Sequence, residues 1–599
     1  MKVHVCSYLL WATVTYVLGT SLYICVNDQK CITKHVQTHE SNTSTIFYSL
    51  THCRLLCGQY GPLWPKPTGM VILDKKTITV HPSNMRFSIN NVNQSSAVIK
   101  MFNETVRYFL KNIHRESKHI CSSKTSLLVK VNVTTAETVL NWSTNESYKL
   151  QISLESSDTT NVTVEATTIY GVRHAVETLL QLMVSVKTDM FNSTCSTLYM
   201  LKNAMIHDQP VYPHRGLLID TARNYIPIKT LRKQIDAMAS CKMNVLHWHV
   251  SDTQSFPIVV EHVPEFSSYG AYSAEAIFTH KDVQDLVQYA KYRGIRVILE
   301  FDAPSHAGNG WQWGPSRGLG NLALCVNQQP WRSFCVEPPC GQLNPVNPNM
   351  YNILQQLYRS FAAMNNEEEI LHMGGDEVFF GCWNASEEVV NYMRDKGMNR
   401  TEHDFLQLWS EFQNTSLRLW ENARFETNRM VKKTIDPAPV ILWSSQLTHP
   451  SVIDRFLNNS RYIIQTWVPA ESDIPNALQK KGYKLIVSTK DAWYLDHGFW
   501  GQTSYYSWKK VYQNRLPRGI GILGGEVCVW TEFIDDNSLE GRTWPRAAAA
   551  AERLWSNPAS MEMDAEPRFF RHRNRLISRG IRPEAVAPKW CEQNELECH

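Results

Sequence analysis

Residues 216–250 read GLLIDTARNYIPIKTLRKQIDAMASCKMNVLHWHV. An aliphatic run, Gly216–Asp220, leads into a polar loop, then a stretch of helical period, then a second short apolar run, Asn244–His249. The same unit recurs with apolar runs at Arg296–Phe301, Ile370–Gly374, Val440–Trp443, Tyr462–Trp467, Lys484–Ser488 and Gly521–Gly525. Continuous apolar strands alternating with helices imply a parallel sheet covered on its outside. Eight such units in about 350 residues predict an α/β fold, a TIM-type (β/α)8 barrel with some long loops.

The chain has 599 residues, enough for that barrel and a second domain. Residues 24–205 carry short alternating runs, Thr77–His81, Ser126–Val133 and Tyr148–Ser153, then a helical pattern over Gly171–Met183. They read as a smaller α+β domain without a catalytic cluster, which leaves 206–599 for the catalytic barrel. Residues 1–23 read as a secretory signal, with Lys2 and His4 before the mostly apolar Tyr8–Leu18 and small residues at Gly19, Thr20 and Ser21. No later segment is apolar enough to span a bilayer, so no membrane contact is expected after signal removal.

Cysteine and asparagine usage fits a secreted, extracellular protein, with the lysosome as the alternative. Removing Cys6 with the signal leaves fourteen cysteines, clustered as Cys25 and Cys31 against Cys53 and Cys57, Cys335 near Cys340, and Cys591 near Cys598. Spacing does not fix connectivity; the pairing we expect is Cys25–Cys57, Cys31–Cys53, Cys121–Cys195, Cys325–Cys382, Cys335–Cys340 and Cys591–Cys598. Cys241 and Cys528 would stay as buried thiols. Twelve N-x-S/T acceptor sites occur, at Asn42, Asn93, Asn103, Asn132, Asn141, Asn145, Asn161, Asn192, Asn384, Asn399, Asn414 and Asn458. A net charge of +4 without a long basic run argues against a nucleic-acid partner; the sequence leaves a homodimer open.

The strand ends carry the chemistry. Arg223 comes after the first; His247, His249 and Asp252 lie at or after the second; Asp302 and His306 come after the third; Asp376 and Glu377 after the fourth. Trp443 and Trp467 end the fifth and sixth, Tyr494 and Asp496 come after the seventh, and Trp530 and Glu532 after the eighth. In such a barrel these positions converge on the C-terminal mouth, where active sites are built. Polar and aromatic residues together suit a ligand with flat apolar faces and hydroxyls, such as a sugar ring. Two adjacent acids in a partly dry site cannot easily both ionise, so one pKa rises and a proton is held for general-acid work.

The motifs GLLIDTARNY (216–225), HWHVSD (247–252), EFDAPSH (300–306), HMGGDEV (372–378) and GGEVCVWTE (524–532) resemble glycoside hydrolase family 20, the β-N-acetylhexosaminidases. The resemblance implies exo-acting release of terminal GlcNAc, with GalNAc as a second terminal sugar, from chitooligosaccharides or other β-linked N-acetylhexosamine glycans. It implies a retaining, substrate-assisted reaction without a cofactor. Glu377 would be the acid and base, Asp376 the partner of the acetamido N–H, and Tyr494 the donor to the acetamido oxygen. Trp443, Trp467 and Trp530 would wall the sugar, and Arg223, Asp496 and Glu532 would bind its hydroxyls. Asp252 and His306 would keep Glu377 oriented and partly protonated.

The insect chitin-degrading members are the nearest resemblance, and it places Val336, Glu337 and Trp508 around a second sugar. An aromatic face there would stack on a β-1,4 chain. Alternatives are a broad lysosomal or glycan-trimming hexosaminidase, a non-catalytic sugar-binding protein, and a metal-dependent hydrolase using His247, His249 and Asp302; no metal is expected.

Overall fold

The computed structural model describes residues 22–34, 46–47, 49–91, 95–187, 195–430, 438–496, 498 and 504–598. Most of the expected signal, and the acceptor sites Asn42, Asn93 and Asn192, lie outside them. Tyr23 already belongs to a strand, Tyr23–Val26.

Seven barrel strands form one parallel sheet: His214–Asp220, Val245–His249, Arg296–Glu300, Val440–Trp443, Tyr462–Thr466, Lys484–Val487 and Ile522–Val529. The first pairs in parallel with the last. The gap between the third strand and Val440–Trp443 is closed at His372, which bridges Glu300 on one side and Ile441 on the other. Backbone bonds run through this fourth crossing: His372 N–H to the Leu299 carbonyl at 3.0 Å, and Met373 N–H to the Ile441 carbonyl at 2.9 Å. The sheet is thus an eight-stranded barrel, as the sequence predicts, with a fourth strand too short to make a regular ladder.

Side chains two apart along a strand share a face, and the interior is layered accordingly. The lowest layer is aliphatic: Val245, Ile298, Ile370, Ile441, Ile463 and Ile486. Two residues further along each strand come His247, Glu300, His372, Trp443, Gln465 and Ser488, all buried. Two further still lie His249, Asp302, Gly374 and Trp467, at the mouth. An apolar plug therefore supports a polar storey, and the polar storey supports the site.

The N-terminal region is a six-stranded mixed sheet in the order Val71–Leu73, Ala204–Asp208, Tyr148–Ser156, Thr159–Ala166, Ser126–Val133, Met85–Asn91. Helices Ser96–Glu116 and Ile169–Gln181 reach from it to the barrel: the Tyr108 hydroxyl donates to the Asp236 carbonyl at 3.2 Å and Arg173 to the Ala239 carbonyl at 3.2 Å. Every residue of Ile169–Gln181 is buried, as befits a helix between two layers.

All six expected disulfides are present, and Cys241 and Cys528 are buried thiols. The segment near Cys31 is tied to the C-terminal segment: the Cys31 N–H donates to Glu595 at 2.7 Å, Arg54 meets the same carboxylate at 2.8 Å, and the Thr33 hydroxyl donates to Asn594 at 2.6 Å. Of the acceptor asparagines, Asn103, Asn132, Asn145, Asn384, Asn399, Asn414 and Asn458 are exposed, while Asn141 and Asn161 are half-buried.

Candidate active site

The chain leaves the fourth crossing through Gly374 (φ +59°) and Gly375 (φ +76°), conformations that glycine adopts without strain. A Cβ on Gly374 would stand 1.8 Å from Asp302 Oδ1. The Gly375 N–H instead donates to that oxygen at 2.8 Å, which locks the turn to the third strand. Glu377 takes φ +50°, so the two neighbouring carboxyls point into different surroundings.

Asp376 faces inward. Its Oδ1 is buried and accepts no hydrogen bond, and its carboxyl is bonded to Asp302. Burial, then the Asp302 charge, pushes Asp376 well above the usual carboxylate range, and burial lifts Asp302 to about 6. Glu377 faces the mouth, 3.4 Å from His306 Nε2. Burial works to raise its carboxyl, but the His306 contact outweighs that and lowers it. The sequence reading assigns the held proton to Glu377; the surroundings instead favour a proton on the Asp376–Asp302 pair, whose carboxyls are raised, over Glu377, whose carboxyl is lowered. The reason is geometric, because the protonated imidazole touches Glu377 and not Asp376.

His306, also at positive φ (+53°), gives Nδ1 to Asp252 at 3.2 Å. Asp252 takes Arg223 at 2.9 Å and His249 at 3.1 Å. His249 continues to Glu300 at 2.7 Å, Glu300 to His247 at 3.0 Å, His247 to Glu526 at 2.8 Å, and Glu526 to His214 at 2.6 Å. A file of alternating imidazoles and carboxylates thus runs down the barrel axis from Glu377. Trp443 Nε1 and Gln465 Nε2 donate into it, to Glu300 at 2.6 Å and Glu526 at 2.8 Å.

Burial alone would discharge these imidazoles, but Glu526 and Glu300 lift His247 to about 9, and Glu300 lifts His249 well above its usual value. Both ring nitrogens of each lie within 3.1 Å of a carboxylate oxygen, though His247 Nε2 is not aligned for a hydrogen bond, and the carboxylates favour the charged rings. The histidines of the metal-hydrolase alternative are engaged with acids, His249 with Glu300 and Asp252 and His247 with Glu526, while His249, Glu300 and Asp302 lie close enough together to be ligands of one ion. Sequence reasoning misses Glu300 and Glu526; the signal for them is a lone acid inside an otherwise apolar strand.

Around the opening the predicted ring assembles. Trp443 is its floor, 5.9 Å from Trp530, with Tyr494 6.3 Å from Trp530 and Trp467 in the same cluster. Trp467 is braced by its Nε1 bond to the Ser444 carbonyl at 2.7 Å. Arg223 lies over Trp530 at 5.1 Å and bonds Glu337 at 2.6 Å, which brings Glu337 to the mouth with Val336 exposed beside it. Arg223 Nε and Asp496 Oδ1 are buried without protein partners. Burial raises Asp496 to about 6 and Glu532 to about 8.

Trp508 does not join them. It is only 4% exposed and stacks on Phe569 of the helix Glu562–Ser578 at 4.3 Å, so it is a core residue and not a wall for a second sugar.

A family profile described as "Glycosyl hydrolase family 20, catalytic domain" matches residues 212–558. The chain belongs to this family. It is a family 20 glycoside hydrolase, and a second profile, "beta-acetyl hexosaminidase like", matches residues 63–182 of its N-terminal region. It is 38% identical to the chitooligosaccharidolytic beta-N-acetylglucosaminidase of Ostrinia furnacalis over 92% of this chain and 91% of that protein. It is 30% identical to the human beta-hexosaminidase subunit beta over 90% and 91%. The fold matches Flavobacterium johnsoniae chitobiase with a TM-score of 0.67 at 23% identity, over 87% of this chain and 73% of that one.

Proposed function

We propose that this family 20 hydrolase removes terminal GlcNAc from the non-reducing end of chitooligosaccharides, with retention, using the substrate's own acetamide as nucleophile. One observation carries the reading. Asp376 Oδ1 is a buried acceptor without a donor, one residue from an acid that faces the opening. A buried acceptor without a partner costs free energy unless a ligand supplies the proton, and a 2-acetamido N–H supplies it at the right place.

The steps then follow from the side chains. Asp376 holds the acetamido N–H while Tyr494 donates to the acetamido oxygen. That oxygen attacks the anomeric carbon, the glycosidic bond breaks, and Glu377 gives its proton to the leaving oxygen. Water, deprotonated by Glu377, opens the cyclic oxazolinium ion and restores the acetamide. For Glu377 to carry a proton at that moment, its carboxyl must rise while that of Asp376 falls. Ligand binding favours this: the acetamido N–H stabilises Asp376 as an anion, and that new charge beside Glu377 raises the latter.

Arg223, Asp496 and Glu532 bind the outer hydroxyls of the sugar, and Trp443, Trp467 and Trp530 enclose its ring. Likeness to the Ostrinia protein supports a chitin-derived substrate, with Val336 and Glu337 meeting the next sugar. The disulfides and exposed acceptor asparagines support an extracellular setting; among the described residues no helix is long and apolar enough to cross a membrane.

A thiazoline mimic of the cyclic intermediate tests the core of this. It should bind the parent tightly and Asp376→Asn far more weakly, by roughly 2–4 kcal/mol. Glu377→Gln should keep that binding but lose turnover of chitobiose much more than of an activated aryl glycoside. Equal inhibition of parent and Asp376→Asn would defeat the substrate-assisted reading.

A further inference from the structure

The file of acids and imidazoles has a lower end as well as an upper one. It stops at His214, the fully buried first residue of strand His214–Asp220. His214 Nε2 meets Glu526 at 2.6 Å, and its Nδ1 accepts from Trp142 Nε1 at 3.1 Å. Trp142 does not belong to the barrel. It comes from the loop between strands Ser126–Val133 and Tyr148–Ser156 of the N-terminal sheet, and its ring packs against the lowest aliphatic layer of the barrel. The Arg296 guanidinium lies over the same ring at 4.9 Å and is held by Glu368 at 2.7 Å. Glu526 has room on the axis because residue 216 is glycine: a Cβ there would stand 2.3 Å from Glu526 Cγ.

The chemistry of these two contacts fixes where the His214 proton lies. An indole Nε1–H can only donate, so the Nδ1 facing it must offer its lone pair. The single ring proton is then on Nε2, aimed at Glu526. An imidazolium, with N–H on both sides, would set one N–H against another. The charged groups facing the ring are Glu526 on the last barrel strand, His247 on the second and Arg296 on the third. Burial holds His214 below the ordinary imidazole range, with Arg296 and His247 helping and Glu526 opposing. The other Glu526 oxygen is left for His247 Nδ1 at 2.8 Å, with Gln465 donating beside it at 2.8 Å.

We infer that Trp142 is a positioning residue for the hydrolase site: by donating to His214 it keeps that imidazole neutral and reserves the Glu526 carboxylate for His247 and the file above it, up to Glu377. This rests on the reading of Glu377 as acid and base. It gives the N-terminal region a part in the reaction, exercised from the closed end of the barrel. A phenylalanine at 142 would still fill the base and lie under Arg296. The N–H, and not the bulk of the ring, is what the site needs.

Nitrogen-15 NMR of the full chain labelled in histidine reads the tautomer directly. One imidazole should be neutral, protonated on Nε2 and without titration between about pH 4.5 and 8, and its signal should vanish in His214→Gln. In Trp142→Phe the same signal should titrate within that range. The acid limb of kcat for chitobiose should then move up by about 1 pH unit, because a second cation on Glu526 competes with His247. KM and thiazoline binding should hold, which separates the effect from damage to the sugar pocket. Adding His214→Gln to Trp142→Phe should return the acid limb to its parent position, since nothing is left there to charge; a packing defect would not be rescued in this way. Should Trp142→Phe fold poorly, His214→Gln alone decides, and its limbs should stay where the parent's are. An imidazolium or an Nδ1–H at His214 in the parent, shifted limbs in His214→Gln, or an unmoved acid limb in Trp142→Phe would overturn the inference. The tautomer is read without substrate, so its failure is distinct from failure of the thiazoline test, which would remove the reaction and leave the His214 assignment standing.

Discussion

His306→Asn isolates the charge that sets the proton balance of the site. Asparagine is among the few side chains at ease at φ +53°, so the backbone should hold. The substitution removes a cation 3.4 Å from a Glu377 carboxylate whose side chain is 26% exposed. Coulomb's law with an effective dielectric of ~20 gives about 5 kcal/mol at that separation as a ceiling. Water entering beside a partly exposed group reduces this, and opposite charges at such range typically shift a carboxyl by about 1–3 units.

We therefore expect a shift of about 1–2 units, upward, because the cation that favours the ionised form is gone. The proposed reaction needs Glu377 protonated when the leaving sugar departs. The alkaline limb of kcat for chitobiose, which reports the enzyme–substrate complex in which Glu377 is protonated, should move up by about the same 1–2 pH units. Its maximum should fall by roughly 10–100-fold, since Glu377 also loses the contact that orients it. The pH profile is the discriminating readout. A fall in activity with the alkaline limb unmoved would refute the claim that His306 sets the charge state of Glu377.

Glu532→Gln should be more stable than the parent at pH 8, by about 1–3 kcal/mol, and no different at pH 4. A folded pKa of about 8 against the ordinary 4.5 means that stability is lost as pH rises through that window; denaturant titrations at both pH values check it, and activity should fall because the amide oxygen is a weaker, uncharged acceptor. Glu526→Gln leaves the buried His247 and His214 without their carboxylate and should cost about 3–5 kcal/mol at pH 7. Glu526 is held well below its usual range, so the parent keeps this stability above pH 4.5 and loses it on acidification, and the variant's acid denaturation should be correspondingly less steep. Trp508→Ala should destabilise by about 3–5 kcal/mol and lower activity on aryl GlcNAc and on long chains alike. A loss confined to long chains, measured on folded protein, would return Trp508 to the second sugar.

The barrel is legible in the sequence because every crossing repeats the same pattern, and the site is legible because the residues after each run are chemically unusual. Two things are not. Trp508 comes after a polar stretch and looks like a loop aromatic, but its partner is Phe569, from a helix far along the chain; such a contact leaves no local pattern. The division of the proton between Asp376 and Glu377 is hidden for a different reason. Adjacent letters give the pair, but which carboxyl meets His306 depends on the positive φ angles of Glu377 and His306 themselves. Glu300 and Glu526 are visible as charges within apolar strands, a signal easily taken for the ends of the runs.

The bonds that join Cys31, Thr33 and Arg54 to Asn594 and Glu595 set an order of assembly. A polypeptide is made from its N-terminal side, so the segment around Cys31 exists long before its partners. The Cys31–Cys53 and Cys25–Cys57 bonds span short loops and can close early, giving this segment a shape while it waits. The first barrel strand waits as well, since its neighbour on one side is the eighth. A ribosome that stalls near residue 520 therefore releases a chain with an open barrel and an uncovered N-terminal cap, both rich in unpaired backbone and buried charge. Such a chain is a ready client for chaperones and degradation.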